Sequence, residues 1–532
     1  MSTQPEHEAR FARIVGTRFL GFVCNVTERQ LQARLETGRR LAAAKEAVLQ
    51  QVLTAAAQSA VLAFQVGGSE SDFLYPLLEY DPAERMVRPN LLRVGAGGAV
   101  PVRRPKDPAA VALATLARDL YPTLLLDPPA RTGRGPIPRW VERTWSMSPV
   151  SFRHPASAAF ELAVATDVSL NVLFTHETPE SGKTGFIWTS LGTGRSVQLS
   201  MLAHDLLIAT LFKLTLDGVF DQAAFVDGAL EQLDVLRRLV AGEQVDVRCS
   251  VAFVGAELPG RSLATPWGTL RTPTPGELEL RADTPVAHSQ EVILSTTVPL
   301  EMRIDQDSAR GTLASPYAAA AAATFQAVQH KADMLALTLL LAFDRDPAVA
   351  VARTWTLLEN PLNQGPSLSW FQSAVPLHPH VLVSEDRPTI RAWATRIERD
   401  YSDRLDIAVK RTLSSLTTRW DPTDRLIDAV VALENLFGTG SGELAFRIST
   451  GAAYLLERDT QRRADVQSEV SRLYNVRSKI VHGAHSPAPA TVEPLARAAT
   501  TIAVRSLRAL FAHHRRLLDE KDRARLLILG TR

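Results

Sequence analysis

The chain has 532 residues, 45% of them hydrophobic and 22% charged, and a formal net charge of +2. That length is enough for two to four domains with sizeable cores, and the balance excludes a disordered or collagen-like chain. Without a global basic excess, any surface for nucleic acid has to be local.

The opening residues, MSTQPEHEARFARIV, carry acidic groups and lack the basic-then-apolar pattern of a signal peptide. The most apolar run, Met334 to Phe343, is too short to span a bilayer. Two cysteines far apart, Cys24 and Cys249, provide neither a disulfide framework nor a zinc spacing. These features predict a cytoplasmic protein with no membrane contact, no bound metal and no cofactor.

Along the first half, Leu31, Leu35, Leu41, Val48, Val52 and Leu53 lie in a matrix of Ala, Gln, Arg and Glu, predicting one long helical stretch over 27–65. Residues 66–155 are rich in Gly and Pro, which predicts small strands and loops with one helix over 109–120. Short β-branched runs at 168–174 and 185–189 follow. Between them Ser181-Gly182-Lys183-Thr184 has the ending of a phosphate-binding loop, but Glu177 stands where its first glycine belongs and Pro179 interrupts, so it reads as a polar turn. Two helices are predicted at 201–216 and 220–241. His204-Asp205 on the first is a metal-type dipeptide with no further spaced ligands, and a core or surface histidine is the plainer reading. Alternation at Val245, Val247, Cys249, Val251 and Phe253, repeated at Leu278–Leu280, Val292–Leu294 and Val298–Ile304, predicts an antiparallel, half-buried sheet.

From Ser315-Pro316, an N-cap with a first-turn proline, the pattern turns helical. Helices are predicted at 316–343 and 347–359, then a partly extended connector over 360–388. Six more follow at 388–400, 402–419, 423–437, 443–457, 462–482 and 491–518. The last gathers Arg505, Arg508, Arg515 and Arg516, which would suit phosphate contacts or simply form a solvated face with acidic partners.

The helix over 462–482 ends in Tyr474-Asn475-Val476-Arg477-Ser478-Lys479-Ile480-Val481-His482-Gly483. Val466, Val470, Leu473, Tyr474 and Val481 make an apolar stripe with helical period, and Arg477 falls on it. A guanidinium there needs a partner. Glu434, on one face with Val430 and Phe437 in an earlier helix, is the predicted one. Histidine can move a proton near neutral pH, and arginine can stabilise charge on phosphate oxygens, which together is what metal-free cleavage of RNA requires. The same residues also fit a structural ion pair and a helix C-cap.

This string, with Leu433-Glu434-Asn435-Leu436-Phe437 upstream, resembles the HEPN superfamily, specifically its Apea-like branch, over roughly residues 386 to 518. The resemblance implies a C-terminal all-α HEPN bundle that pairs with a second copy as a homodimer. It implies a metal-independent endoribonuclease leaving a 2′,3′-cyclic phosphate, with Arg477, His482 and Glu434 as the catalytic set. Ser478, Tyr474, Lys479, Arg505 and Arg508 are then the residues expected to contact RNA. Many members have Asn or Asp directly after the arginine, where this chain has Ser478. Arginine and alanine richness points to a GC-rich bacterial source, and the implied role is a toxin or antiviral effector answering a phage-derived trigger. The expected architecture is multidomain α+β: a mixed α/β region with an antiparallel sheet over 1–305 that senses or restrains, a helical connector over 306–385, and the helical domain over 386–532. The alternative is a non-catalytic HEPN module for dimerisation or RNA binding.

Overall fold

The computed structural model describes residues 4–66, 75–126, 147, 151–178, 182–192, 194–281, 291–305, 322–362, 367–370, 377–438, 443–483 and 488–530. It is a mixed α+β structure with antiparallel sheets and a helical C-terminal region.

The chain opens with helices α1 (Gln4–Val15), α2 (Thr17–Val23), α3 (Glu28–Thr37) and α4 (Ala43–Val66). The single helix expected over 27–65 is therefore two. Thr27 and Gln30 close a capping box at the start of α3, and Gly38 ends it in the left-handed region at φ 70°. Arg34 then ties the pieces together, reaching Glu46 at 2.6 Å and Glu8 at 3.0 Å.

A short hairpin, β1 (Tyr80–Asp81) with β2 (Met86–Val87), leads into α5 (Arg88–Gly95), α6 (Pro108–Leu120) and α7 (Pro155–Thr166). A buried polar network locks these helices. Asp119 accepts from Asn90 at 2.9 Å and from Arg118 at 2.7 Å, and His154 Nε2 lies 3.1 Å from its other oxygen. His154 Nδ1 accepts from the Ala156 N–H, so this histidine also caps α7. Residues 168–174, expected as a strand, instead form a turn and a 3-10 segment (Asn171–Leu173).

Strand β3 (His176–Thr178) and, further along, β11 (Met302–Asp305) share one edge of β4 (Gly182–Thr189), with β5 (Gly194–Gln198) on the other. Lys183 and Thr184 pair with Glu177 and His176 inside that ladder, so no phosphate-binding loop forms there.

Helices α8 (Leu199–Asp217) and α9 (Gln222–Val240) precede the main sheet. Its order is β13-β12-β6-β10-β9-β8, all antiparallel, from β6 (Val245–Val254), β8 (Leu263–Thr265), β9 (Gly268–Arg271), β10 (Glu291–Leu300), β12 (Ala352–Leu358) and β13 (Ser367–Trp370). A separate parallel pair joins β7 (Ala256–Glu257) to β14 (His380–Val381). Two expectations fail here. Leu278 and Leu280 belong to α10 (Pro275–Arg281), not to a strand, because Thr274 and Glu277 form reciprocal caps that start a helix. Residues 352–358, expected in a helix, are β12: Thr-Trp-Thr-Leu-Leu finds open edges on β6 and β13, and that pairing overrides the helix-forming Ala residues before it.

The sheet is covered on both faces. Ala252, Ile293, Trp355 and Leu357 pack against Phe212 and Leu216 of α8. Val251, Phe253, Val292 and Leu294 belong to the larger core, on the side where α11 (Ala323–Ala342) lies against β6 and β10. Among the described residues α8 is the one helix long and apolar enough to cross a membrane, and 83% of that stretch is buried inside the protein. Cys24 and Cys249 are buried free thiols, and burial pushes both up to about 12.

Beyond α11 come α12 (Arg387–Asp400), α13 (Asp406–Thr417), α14 (Pro422–Phe437), α15 (Leu444–Leu456), α16 (Thr460–Val481), α17 (Pro489–His513) and α18 (Arg523–Leu529). Helix α14 is the hub, contacting α13, α15, α16, α17 and α18. Asp421 caps its start and Pro422 occupies the first turn. At its far end the buried Arg523 donates to Leu517 O and Leu518 O, both at 2.8 Å, close to the carbonyls of Asn435 and Leu436. Gly451 permits the contact between α15 and α18, since a Cβ there would come within 3.0 Å of Ala524 and Phe437.

Candidate functional site

Helix α16 starts on Asp459, whose carboxylate accepts from the Arg462 N–H at 3.0 Å. It stops where the His482 N–H meets Ser478 O at 3.0 Å and Gly483 turns left-handed at φ 69°. Most of the helix faces solvent. Val470 and Leu473 alone are fully buried, while Val466, Tyr474, Val476 and Ile480 pack partly against the core. Val481, expected on the buried stripe, is half exposed. The buried stripe runs from Val470 through Leu473 to Arg477, at steps of three and four residues.

Arg477 meets Glu434 of α14. Nη1 lies 3.3 Å from Oε1 and Nη2 lies 3.4 Å from Oε2, with side chains only 20% and 21% exposed. Both contacts are longer than the ~2.7–2.9 Å of a tight charge-assisted hydrogen bond. Arg477 Nε is buried without a hydrogen-bond acceptor among the described residues. The pair is a loose fork with donor capacity left. Burial raises the Glu434 pKa, and the opposing pull of Arg477 does not cancel it. A tight, fully compensated pair would have moved that carboxyl the other way.

His482 is exposed at the helix end, on the C-cap position. No hydrogen bond or ion pair joins its ring to Arg477 or Glu434 among the described residues. Five residues of helix separate it from Arg477, roughly 140° of rotation and about 7.5 Å of rise, which accounts for this. Ser478 and Tyr474 are half-buried and Lys479 is exposed. One chain thus brings Glu434 and Arg477 together and leaves His482 at the rim.

The expected row of arginines divides by partner. Arg505 binds Glu457 at 2.7 Å. Arg508 closes the C-terminus of α11, donating to Leu341 O at 3.2 Å, to Leu340 O at 3.3 Å and to Phe343 O, with Asp344 as its counter-ion. Helix α17 ends at His513, so Arg515 and Arg516 lie beyond it in a 3-10 turn, where Arg515 pairs with Asp400 at 2.6 Å.

His204 and Asp205 are both buried on α8. His204 Nδ1 lies 3.5 Å from Ser151 Oγ, and Asp205 lies 3.4 Å from Arg195. Among the described residues no group of three or more His, Cys, Asp or Glu is placed to hold a metal ion. Arg345, Arg425, Arg497 and His378, which the sequence did not single out, line a cleft with Arg505 and Arg508. Arg505 and Arg508 are grouped by their spacing along one helix in the sequence; the arrival of Arg345, Arg425, Arg497 and His378 is not foreseen there.

Set against known proteins, the chain matches no family model, and neither a curated protein nor a solved structure matches it.

Proposed function

We propose that this chain is a metal-independent HEPN-type endoribonuclease, acting in a bacterial cytoplasm as a toxin or antiviral effector. The observation that carries the reading is the Arg477 guanidinium, four-fifths buried, held by Glu434 and followed by an exposed His482 at the end of the same helix. The family assignment rests on the motif and the helical C-terminal region, not on an overall match. In this reading Arg477 stabilises charge building on the phosphorus-bound oxygens. Glu434 orients Arg477. His482 moves the proton of the ribose hydroxyl or of the leaving oxygen, and its exposure gives RNA access. Because His482 stands apart from Arg477 within one chain, two copies facing each other across a homodimer cleft would complete the set. The large α+β half is then the part that answers a trigger, phage-derived in an antiviral setting.

The second reading is a non-catalytic RNA-binding or dimerisation module. The Arg477–Glu434 pair favours it, since a partly buried ion pair between two helices also fits a purely structural role.

The test is purified protein with tRNA and mixed-sequence RNA in EDTA, beside His482→Ala and Arg477→Ala. The nuclease reading expects cyclic-phosphate ends from the wild type and a loss of at least about a hundredfold in each variant. His482 is exposed, so its variant keeps its melting temperature. RNA shifted in a gel without new ends would favour the binding module, and equal cleavage by His482→Ala would remove the assignment.

A further inference from the structure

Between the segment that follows α11 and the outer side of α17 runs a cleft of about 740 Å³. Five arginines border it: Arg345 just after α11, Arg425 at the start of α14, and Arg497, Arg505 and Arg508 along α17, with His378 also on its wall. Spacings of eight and three residues keep the α17 arginines on one side of the helix, over about 16 Å.

These cations are not equally committed. Arg508 is consumed by the carbonyls at the end of α11, and Arg425 holds both oxygens of Glu493 at 2.9 Å. Arg497 reaches Glu493 only at 3.8 Å, in competition with Arg425, and its side chain is 74% exposed. Arg505 and Arg345 are 43% and 39% exposed, on Glu457 and Asp386 respectively. Neither of those acids lines the cleft. The carboxylates that do are Asp344, Asp346 and Glu493, three against five guanidinium groups. The exposed Arg497–Glu493 pair holds only about 0–1 kcal/mol, so an incoming anion with several oxygens can displace it. Asp386 and Glu457 are only 12% and 17% exposed, so Arg345 and Arg505 stay on them through Nη2 and meet the anion with their other N–H groups.

His380, beside the cleft, has its pKa lowered first by burial and further by the charges of Arg345 and His378, against the effect of a hydrogen bond with Ala348. The volume lies within the range of small-molecule sites, and guanidinium forks match phosphate oxygens two at a time.

We propose that this cleft binds a phosphate-bearing ligand of nucleotide size, gripped by Arg345, Arg497 and Arg505. Such a ligand touches the segment leading into β12 and the bundle helix α17 at once, so its binding ties the sheet side of the molecule to the helical side. A free nucleotide and an RNA backbone offer the same chemistry, and the test separates them. None of Arg477, His482 and Glu434 lines the cleft, so the proposal stands or falls apart from the nuclease reading.

The experiment is calorimetric titration of the full chain with pyrophosphate, ATP and a short single-stranded RNA, beside the double variant Arg497→Gln/Arg505→Gln. Both side chains are exposed, and the unliganded melting temperature of the variant serves as the folding control. The expected result is ATP or pyrophosphate bound with a Kd below about 1 mM, weakened at least about tenfold in the double variant. RNA binding alone, lost by the same factor, assigns the phosphate to the backbone of a bound strand. No binding of any of the three below about 1 mM, or binding that the double variant leaves unchanged, overturns the proposal.

Discussion

His204 shows how one buried residue sets a pH limit on the fold. It lies on α8, 6% exposed, and burial lowers its pKa from 6.5 to about 4. The folded state therefore keeps the ring neutral over a range in which the unfolded chain binds a proton. Stability from this group is complete above about pH 6.5 and is lost as pH falls toward about 4, roughly 3 kcal/mol in all. Urea midpoints measured at pH 7, 5.5 and 4.5 should fall for the wild type more steeply than for His204→Gln. Parallel curves would mean that the imidazole is not held neutral. Glu434 is perturbed by the same physics with the opposite sign for an acid: burial raises its pKa, which marks the Arg477 contact as weaker than the desolvation it has to offset.

At the scale of elements, helix ends do much of the joining. Helix α11 has no side-chain cap of its own at its start, and its last carbonyls are answered from α17 by Arg508. Arg523 does the same for α14 from the first turn of α18. Replacing Arg508 with Ala leaves the carbonyls of Leu340, Leu341 and Phe343 without that donor, and about 2–3 kcal/mol of stability should go with it. Chemical denaturation measures this, and Arg508→Lys should recover only part, since one ammonium cannot span three carbonyls. A change below about 0.5 kcal/mol would show that water satisfies the carbonyls instead. Helix α16 is built differently: it buries only two residues fully, and Lys479, Val481 and His482 are exposed at its C-terminal end, which leaves that turn open to a ligand or a second chain.

For the whole molecule, the larger core is continuous from Phe19 of α2 through Leu335 of α11 to Leu507 of α17. Helix α11 is the shared wall, with β6 and β10 on one side and α12, α13 and α17 on the other. The main sheet also draws β12 and β13 from beyond residue 305, so the described residues between 322 and 385 belong structurally to the sheet as much as to the helices. Residues 386–532 expressed alone expose the faces of α12, α13 and α17 that α11 covers. That fragment should unfold at a lower denaturant midpoint than the intact chain and bind a hydrophobic dye that the intact chain does not. Equal midpoints with no dye binding would make the bundle an independent unit.

The sequence by itself predicted six of the helices from residue 386 onward, because the apolar residues repeat at helical period, but not the end of α17 at His513 or the short α18. It also paired Glu434 with Arg477, since each is a charge on an otherwise apolar face and the nearest such face supplies the other. Helix and strand were not separable at 278–280 or 352–358, where short apolar runs fit either period and the choice fell to a cap in one place and to neighbouring strand edges in the other. Only the tertiary structure decided which arginines are spent on carbonyls and which remain free to exchange partners, because that depends on segments as distant as Arg345 and Arg497 meeting across a cleft. Helix geometry by itself sets Arg477 and His482 roughly 140° apart on a straight helix, whereas only the tertiary structure decided that the helix runs unbroken to Val481 and leaves His482 exposed at its end.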